Sequence, residues 1–318
     1  MTTQVSIPDW KLSQSMPDLM ISKLSHLGLL SLEGEQAQSF LQGQVTADVI
    51  SLEQGQWCWG AHCDPKGKML ASFRLFEANE QLMMLMPISA VAIDLAQLQK
   101  YAVFSKVELS DASDNWAMYG VAGAGASSFI ESNLGKLESN VHVFEQGIVI
   151  KDADRFIVII RSECESDWLA DQTIFDATAW QQIEVRSGYP NIAAHHSGEF
   201  VPQMCNLDAI GGISFTKGCY MGQETVARMK YRGGNKRALY VLSGSTAEQV
   251  AADSSIEIAL ESGFRRAGKV VEWVQRENEV LLTAVLANDT PMDAKLRIAG
   301  DVNSMLEVQP LPYSLDVE

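Results

Sequence analysis

Hydrophobic and polar residues change period several times along the chain, and each change marks an element. In QWCWGAHC (56–63), Trp57, Trp59 and Ala61 fall on alternate positions, the two-residue repeat of a strand. Asp64-Pro65-Lys66-Gly67 is a turn sequence, which makes MLASFRLF (69–76) the return strand of a hairpin. LMMLMP (82–87) is a third apolar strand. Val91, Ile93, Leu95 and Leu98 then predict a helix face, with Ser89 as its cap and its end near Lys100. AVFSKVELS (102–110) reads as a strand, and Glu35 to Leu41 as a turn or two of helix running into Gly43.

A strand–helix–strand rhythm resumes from Trp116 to Arg161 and closes with DRFIVIIR. Residues 177–187 predict a helix stopped by Gly188 and Pro190, and QETVARMK (223–230) another. From Lys236 onward the runs ALYVLSG, GKVVEWV, EVLLTAVLA and KLRIAG alternate with turns, the texture of a small all-β barrel. Three regions follow: 1–110, α+β with a hairpin; 111–235, a second α+β region that can interleave with the first; and 236–318, the barrel.

The 318 residues are too many for one small core, and 47% hydrophobic with 20% charged content describes a folded chain. The start MTTQVSIPDWK lacks the basic residues and apolar run of a secretion signal, and no stretch matches the length of a membrane span, so the expectation is a cytoplasmic protein. A net charge of −16 repels phosphate backbones, so direct binding of nucleic acid of any kind, tRNA included, is expected to be weak or absent. The exception is the basic run KYRGGNKR (230–237), where Lys230, Arg232, Lys236 and Arg237 could meet RNA or simply be solvated. Five cysteines without paired spacing argue against a disulfide framework.

Several segments invite chemical readings. GVAGAGASS (120–128) lacks the third glycine of a dinucleotide-binding turn, which favours a closely packed strand-to-helix turn. Cys58 and Cys63 are five apart and would point to opposite faces of one strand, and His195-His196 has no further ligand at zinc spacing. KGCYMGQE (217–224) is different. Lys217 lies two residues from Cys219 and a helix begins just after it; both favour a thiolate. A tight turn whose polar groups bond one another explains the same residues equally well.

KGCYMGQE, FVPQMCNLDAIGGISFTKGCY, YRGGNKRAL and LQGQVTADV (41–49) together resemble the YgfZ family, along nearly the whole chain. The resemblance implies an α+β fold similar to the glycine-cleavage T-protein, built of ferredoxin-like α+β domains and a C-terminal β-barrel, three domains around a central opening. It implies binding of tetrahydrofolate or a one-carbon derivative there. It also implies a role in tRNA modification through synthesis or repair of iron–sulfur clusters in client enzymes such as tRNA methylthiolating proteins, and a regulatory role in replication initiation. The motif chemistry would fall on Cys219, Lys217, Tyr220, Gln223 and Glu224. Folate would meet Trp180 and Leu27, with Gln42 and Gln44 nearby and Arg186 where relatives carry a glutamate. An arginine only donates hydrogen bonds, so the pterin edge would need another acid, such as Glu184 or Glu199. Where T-protein relatives carry an assisting aspartate, Ala71 and Ser72 stand, which argues against aminomethyl transfer. The rival readings are a folate-dependent one-carbon transferase and a direct RNA-binding protein.

Overall fold

The computed structural model describes residues 5–165, 169 and 172–315. An antiparallel sheet of five strands runs in the order Trp57–Cys63, Met69–Ala78, Gln81–Pro87, Leu27–Glu33, Glu108–Asp111. Strand alternation assigns its two faces. Leu30, Leu32, Ala71, Phe73, Leu75, Met84 and Met86 pack on helix α1 (Ala37–Gln42) and helix α2 (Ile88–Ala102). Leu29, Phe76, Ala78, Met83 and Leu85 face the other way, into a core shared with the second sheet.

That second sheet has seven strands, in the order Val5–Ser6, Ile174–Phe175, Met20–Lys23, Trp116–Ala122, Arg155–Arg161, Gly147–Asp152, Val141–Phe144. Two of its strands come from the first 23 residues, so the α+β regions interleave along the chain. Met118, Ile148, Ile150, Ile157 and Ile159 meet the first sheet, together with Ala179 and Trp180 of a helix at Ala177–Arg186. The opposite face, with Tyr119, Val121, Val149 and Val158, packs on helix α3 (Ala126–Leu134). The 177–186 helix is α4, and Gln223–Arg232 is α5.

Six strands close the barrel: Arg237–Ser245, Glu279–Ala287, Gly263–Arg276, Ser255–Leu260, Leu296–Ile298 and Met305–Gln309. Leu242, Ile256, Val270, Leu282 and Leu286 fill it. The register of Gly263–Arg276 against Glu279–Ala287 slips between Val270 and Glu272, a β-bulge that turns Val271 and Glu272 toward the rest of the molecule.

Two local expectations need correction, and a third holds. Helix α2 begins at Ile88, and Ser89 does not cap it; its hydroxyl accepts the Ala194 amide at 3.1 Å. The strand read over 102–110 shrinks to Glu108–Asp111, because α2 continues to Ala102 and Phe104 beyond it is 98% exposed. An apolar residue at a turn gave the wrong period there. The glycine segment at 120–128 is the packed turn expected: Gly123 has φ of +99°, and a β-carbon there would lie 2.4 Å from the Asp18 carbonyl oxygen.

Candidate functional site

The most concentrated chemistry lies between the sheets. Arg74 occupies the inward face of its strand, where its neighbours Phe76 and Ala78 are core residues, so its guanidinium must find partners without water. Arg74 Nη2 donates to Glu184 Oε1 at 2.8 Å and to Asp152 Oδ2 at 3.2 Å. Arg155 Nη2 donates to the same Asp152 oxygen at 3.0 Å, and the Tyr189 hydroxyl donates to Asp152 Oδ1 at 3.1 Å. The Arg74 guanidinium also lies 4.4 Å from the ring centre of Trp59 and 5.2 Å from that of Tyr189. Burial alone would raise the Asp152 and Glu184 carboxyls, but the two arginines outweigh it and hold both below the usual range.

Two cations balance two carboxylates, and among the described residues Glu272 has no ion-pair partner of its own. Asn191 links it to the cluster, donating to Glu184 Oε2 at 3.1 Å and to Glu272 Oε2 at 2.9 Å. Burial, and then repulsion from Glu184, push the Glu272 carboxyl up to about 8. Glu272 comes from the barrel, Arg74 from the five-stranded sheet and Glu184 from α4, so one polar chain ties the three units together.

A cavity of about 240 Å³ opens on this chain. His26, Ile88, Gln181, Asn191, Glu272 and Trp273 are among its lining residues. His26 is half-buried, both its ring nitrogens are shielded from solvent with no hydrogen-bond partner among the described residues, and desolvation lowers its pKa to about 4. A second cavity, lined in part by Leu27, shares Ile88 with the first.

The motif loop lies elsewhere. Lys217 turns its ammonium inward, where Nζ donates to the carbonyls of Val45 (2.8 Å) and Ala47 (2.5 Å). Desolvation lowers its pKa to about 8. The Met221 amide donates to Gly43 O at 3.2 Å, and Gly222, with φ of +79°, packs against Asp64 and Gly67 of the hairpin turn. Tyr220 is buried, its hydroxyl pushed well up by burial, and its amide donates to Gln223 Oε1 at 3.3 Å. Glu224 is exposed at the start of α5. Cys219 is exposed at the loop surface, whereas Cys63 and Cys205 are buried.

Residues 235–301 match the family described as YgfZ, beta-barrel domain, and residues 17–150 match the GCVT N-terminal domain. The chain is 40% identical over 314 residues to a tRNA-modifying protein YgfZ of Vibrio vulnificus strain YJ016, covering 96% of this chain and 95% of that one. The chain belongs to the YgfZ family. It is 37% identical over 312 residues to the tRNA-modifying protein YgfZ of Vibrio atlanticus, covering 96% of each chain. The fold is that of the glycine cleavage system aminomethyltransferase T from Bartonella henselae, with a TM-score of 0.68 at 15% identity, covering 93% of this chain and 86% of that one.

Among the site residues expected from the YgfZ resemblance, several stand away from the central cavity. Trp180 is wholly buried in the core between the sheets, beneath Gly120 and beside Arg155, and is not a lining residue; its neighbour Gln181 is. Arg186 points out of the site, with Nη2 donating to the Leu12 carbonyl and its side chain lining a surface groove against the barrel. Two positions along a helix differ by about 200°, so Glu184 faces inward where Arg186 cannot. Glu199 is committed to Lys269 and His196. Gln42 braces its own loop, donating to Asp48 Oδ1 at 2.9 Å and accepting the Val49 amide at 2.7 Å. Gln44 Oε1 is buried with no hydrogen-bond partner among the described residues.

Sequence reasoning missed Arg74, Asp152, Asn191, Glu272 and Trp273. A charged residue inside an apolar strand, as in SFRLF, was the available signal for Arg74. The others are scattered over 120 positions and only the fold assembles them.

Proposed function

We propose that this chain binds a reduced folate in the central cavity and acts in tRNA modification by supporting the iron–sulfur clusters of client enzymes. The observation that carries the folate reading is the cavity wall: a buried carboxyl, two amides and an unpartnered imidazole face the same ring-sized space as apolar Ile88 and the Trp273 ring. The relatives named as tRNA-modifying proteins support the biological half of the proposal. Cys219, exposed on a loop braced by Lys217, is the group available to a partner outside the cavity.

One-carbon transfer of the T-protein kind lacks its base. Ala71 has none, and the Ser72 hydroxyl donates to the Pro190 carbonyl, which fixes the 190–192 segment instead.

Calorimetric titration of the purified chain with tetrahydrofolate and 5-formyltetrahydrofolate tests the folate reading; saturable binding is expected. In a strain lacking the gene, Cys219→Ala is expected to leave methylthiolated tRNA unrestored while folate binding and melting temperature stay at the parent values. Full restoration by that variant would remove Cys219 from the function.

A further inference from the structure

We propose that Glu272 and Trp273 form the recognition face of the central cavity, for a planar heterocycle that presents an N–C–N edge of two N–H donors. The inference deepens the folate reading and rests on it; it assigns the pterin-type edge to the barrel.

The bulge between Val270 and Glu272 supplies the geometry. Without it, strict alternation after the inward Val270 would place Val271 and Trp273 toward the α+β units and Glu272 inside the barrel; the extra residue turns Glu272 outward beside Val271 and leaves Trp273 packed partly on the barrel core, with the Glu272 backbone amide held by the Thr283 hydroxyl at 3.2 Å. Trp273 follows directly and lines the same cavity, its ring centre 6.3 Å from that of His195. A carboxylate offers about four lone-pair directions. Asn191 uses one at 2.9 Å and Gln181 approaches another at 3.4 Å, so capacity for two further N–H donors remains on a group already oriented by its neighbours. Leu27 and Arg186 supply neither a broad aromatic face nor an acceptor to this space, and the barrel strand carries both. His26, unpartnered on the same wall, adds one donor or acceptor.

Occupancy should depend on pH. The charged groups acting on Glu272 are Glu184, which disfavours its charge, and Arg74, which favours it more weakly. His26 and His195 on the cavity wall have lowered pKa values and are uncharged near neutrality, while Lys269, on the same strand, is paired with Glu199. A donor edge selects the ionised carboxylate, so affinity rises with pH, approaching tenfold per unit while Glu272 remains mostly protonated, and levels off once it has ionised.

The test is calorimetric titration of 5-formyltetrahydrofolate, and separately of 6-methyl-5,6,7,8-tetrahydropterin, whose ring N–H stays protonated over this range, into the full chain at pH 6.5, 7.5 and 8.5. Wild type, Glu272→Gln and Trp273→Leu are compared, each with a melting curve. Glu272→Gln should lose at least tenfold in affinity at pH 8.5 and lose the pH dependence, while melting cooperatively. Trp273→Leu should weaken binding about tenfold and keep the dependence. If Glu272→Gln binds the folate as wild type does, with the same pH profile, the assignment to the barrel is wrong although the folate reading stands. If wild type binds neither probe at any pH, the folate reading itself falls.

Discussion

Arg74 Nη2 lies 2.8 Å from Glu184 Oε1, and both side chains are buried. Replacing one member would strand the other. Arg74→Met should therefore lose about 3–5 kcal/mol, since Glu184 and Asp152 would keep only Arg155 between them. Urea unfolding at pH 7 measures this. Both carboxyls sit below their ordinary values of 4.5 and 3.8, so the stabilisation is complete above those values and lost as pH falls through the lower native ones. The deficit of Arg74→Met should accordingly shrink in acid; a deficit independent of pH would contradict the charge argument.

Glu272 has the opposite sign. Its native pKa is raised to about 8, above the ordinary 4.5, so between those values the unfolded chain releases a proton that the native chain retains. Stability falls across that window and flattens above it. Glu272→Gln should melt higher than wild type at pH 8 and close to it at pH 5. A constant difference across the range would mean the carboxyl is ionised in the native state.

Gly120 and Trp180 form a single packed contact. A β-carbon at position 120 would lie 2.1 Å from Trp180 Cε3, and the indole is enclosed on all sides. Gly120→Ala should cost about 1–3 kcal/mol through overpacking, and Trp180→Ala about 3–5 kcal/mol through the cavity it leaves. Thermal melts of both variants check the expectation. A folate titration on Trp180→Ala reads ligand contact only after that loss has been measured.

Lys217 anchors the motif loop. Lys217→Ala would leave the Val45 and Ala47 carbonyls without the ammonium they share, at about 1–3 kcal/mol for each buried acceptor left unsatisfied. The loop carrying Cys219 should loosen, which hydrogen exchange of residues 217–222 would show. Unchanged exchange there would mean the Met221–Gly43 bond and the Gly222 contacts hold the loop unaided.

The cysteines should separate by reactivity. Cys63 and Cys205 are buried with thiols pushed well up, and burial moves Cys58 up to about 11. Cys219 is exposed. Brief treatment with iodoacetamide at pH 7.5, followed by peptide mass mapping, should therefore modify Cys219 well before these three. Early modification of any of them would show that its shell opens.

Much of the architecture was legible in residue order. The 57–63 and 69–78 hairpin, helix α4, helix α5 and the barrel all follow from local period and turn chemistry, because those signals depend on neighbours a few positions apart. The motif loop was legible as unusual, and its resemblance to the YgfZ family gave the fold. What residue order could not supply was direction. Lys217 lies two residues from Cys219, yet its ammonium turns inward to residues 45 and 47. Trp180 and Gln181 are adjacent, yet one is core and the other lines the cavity. Glu272 reads as an ordinary polar position in a strand until a one-residue bulge carries it into the interior. Local sequence determined the elements because hydrogen-bonded backbone and alternating burial are short-range properties. Only the tertiary structure decided the site, because burial and charge balance arise when strands and helices from all three units close on the same small volume.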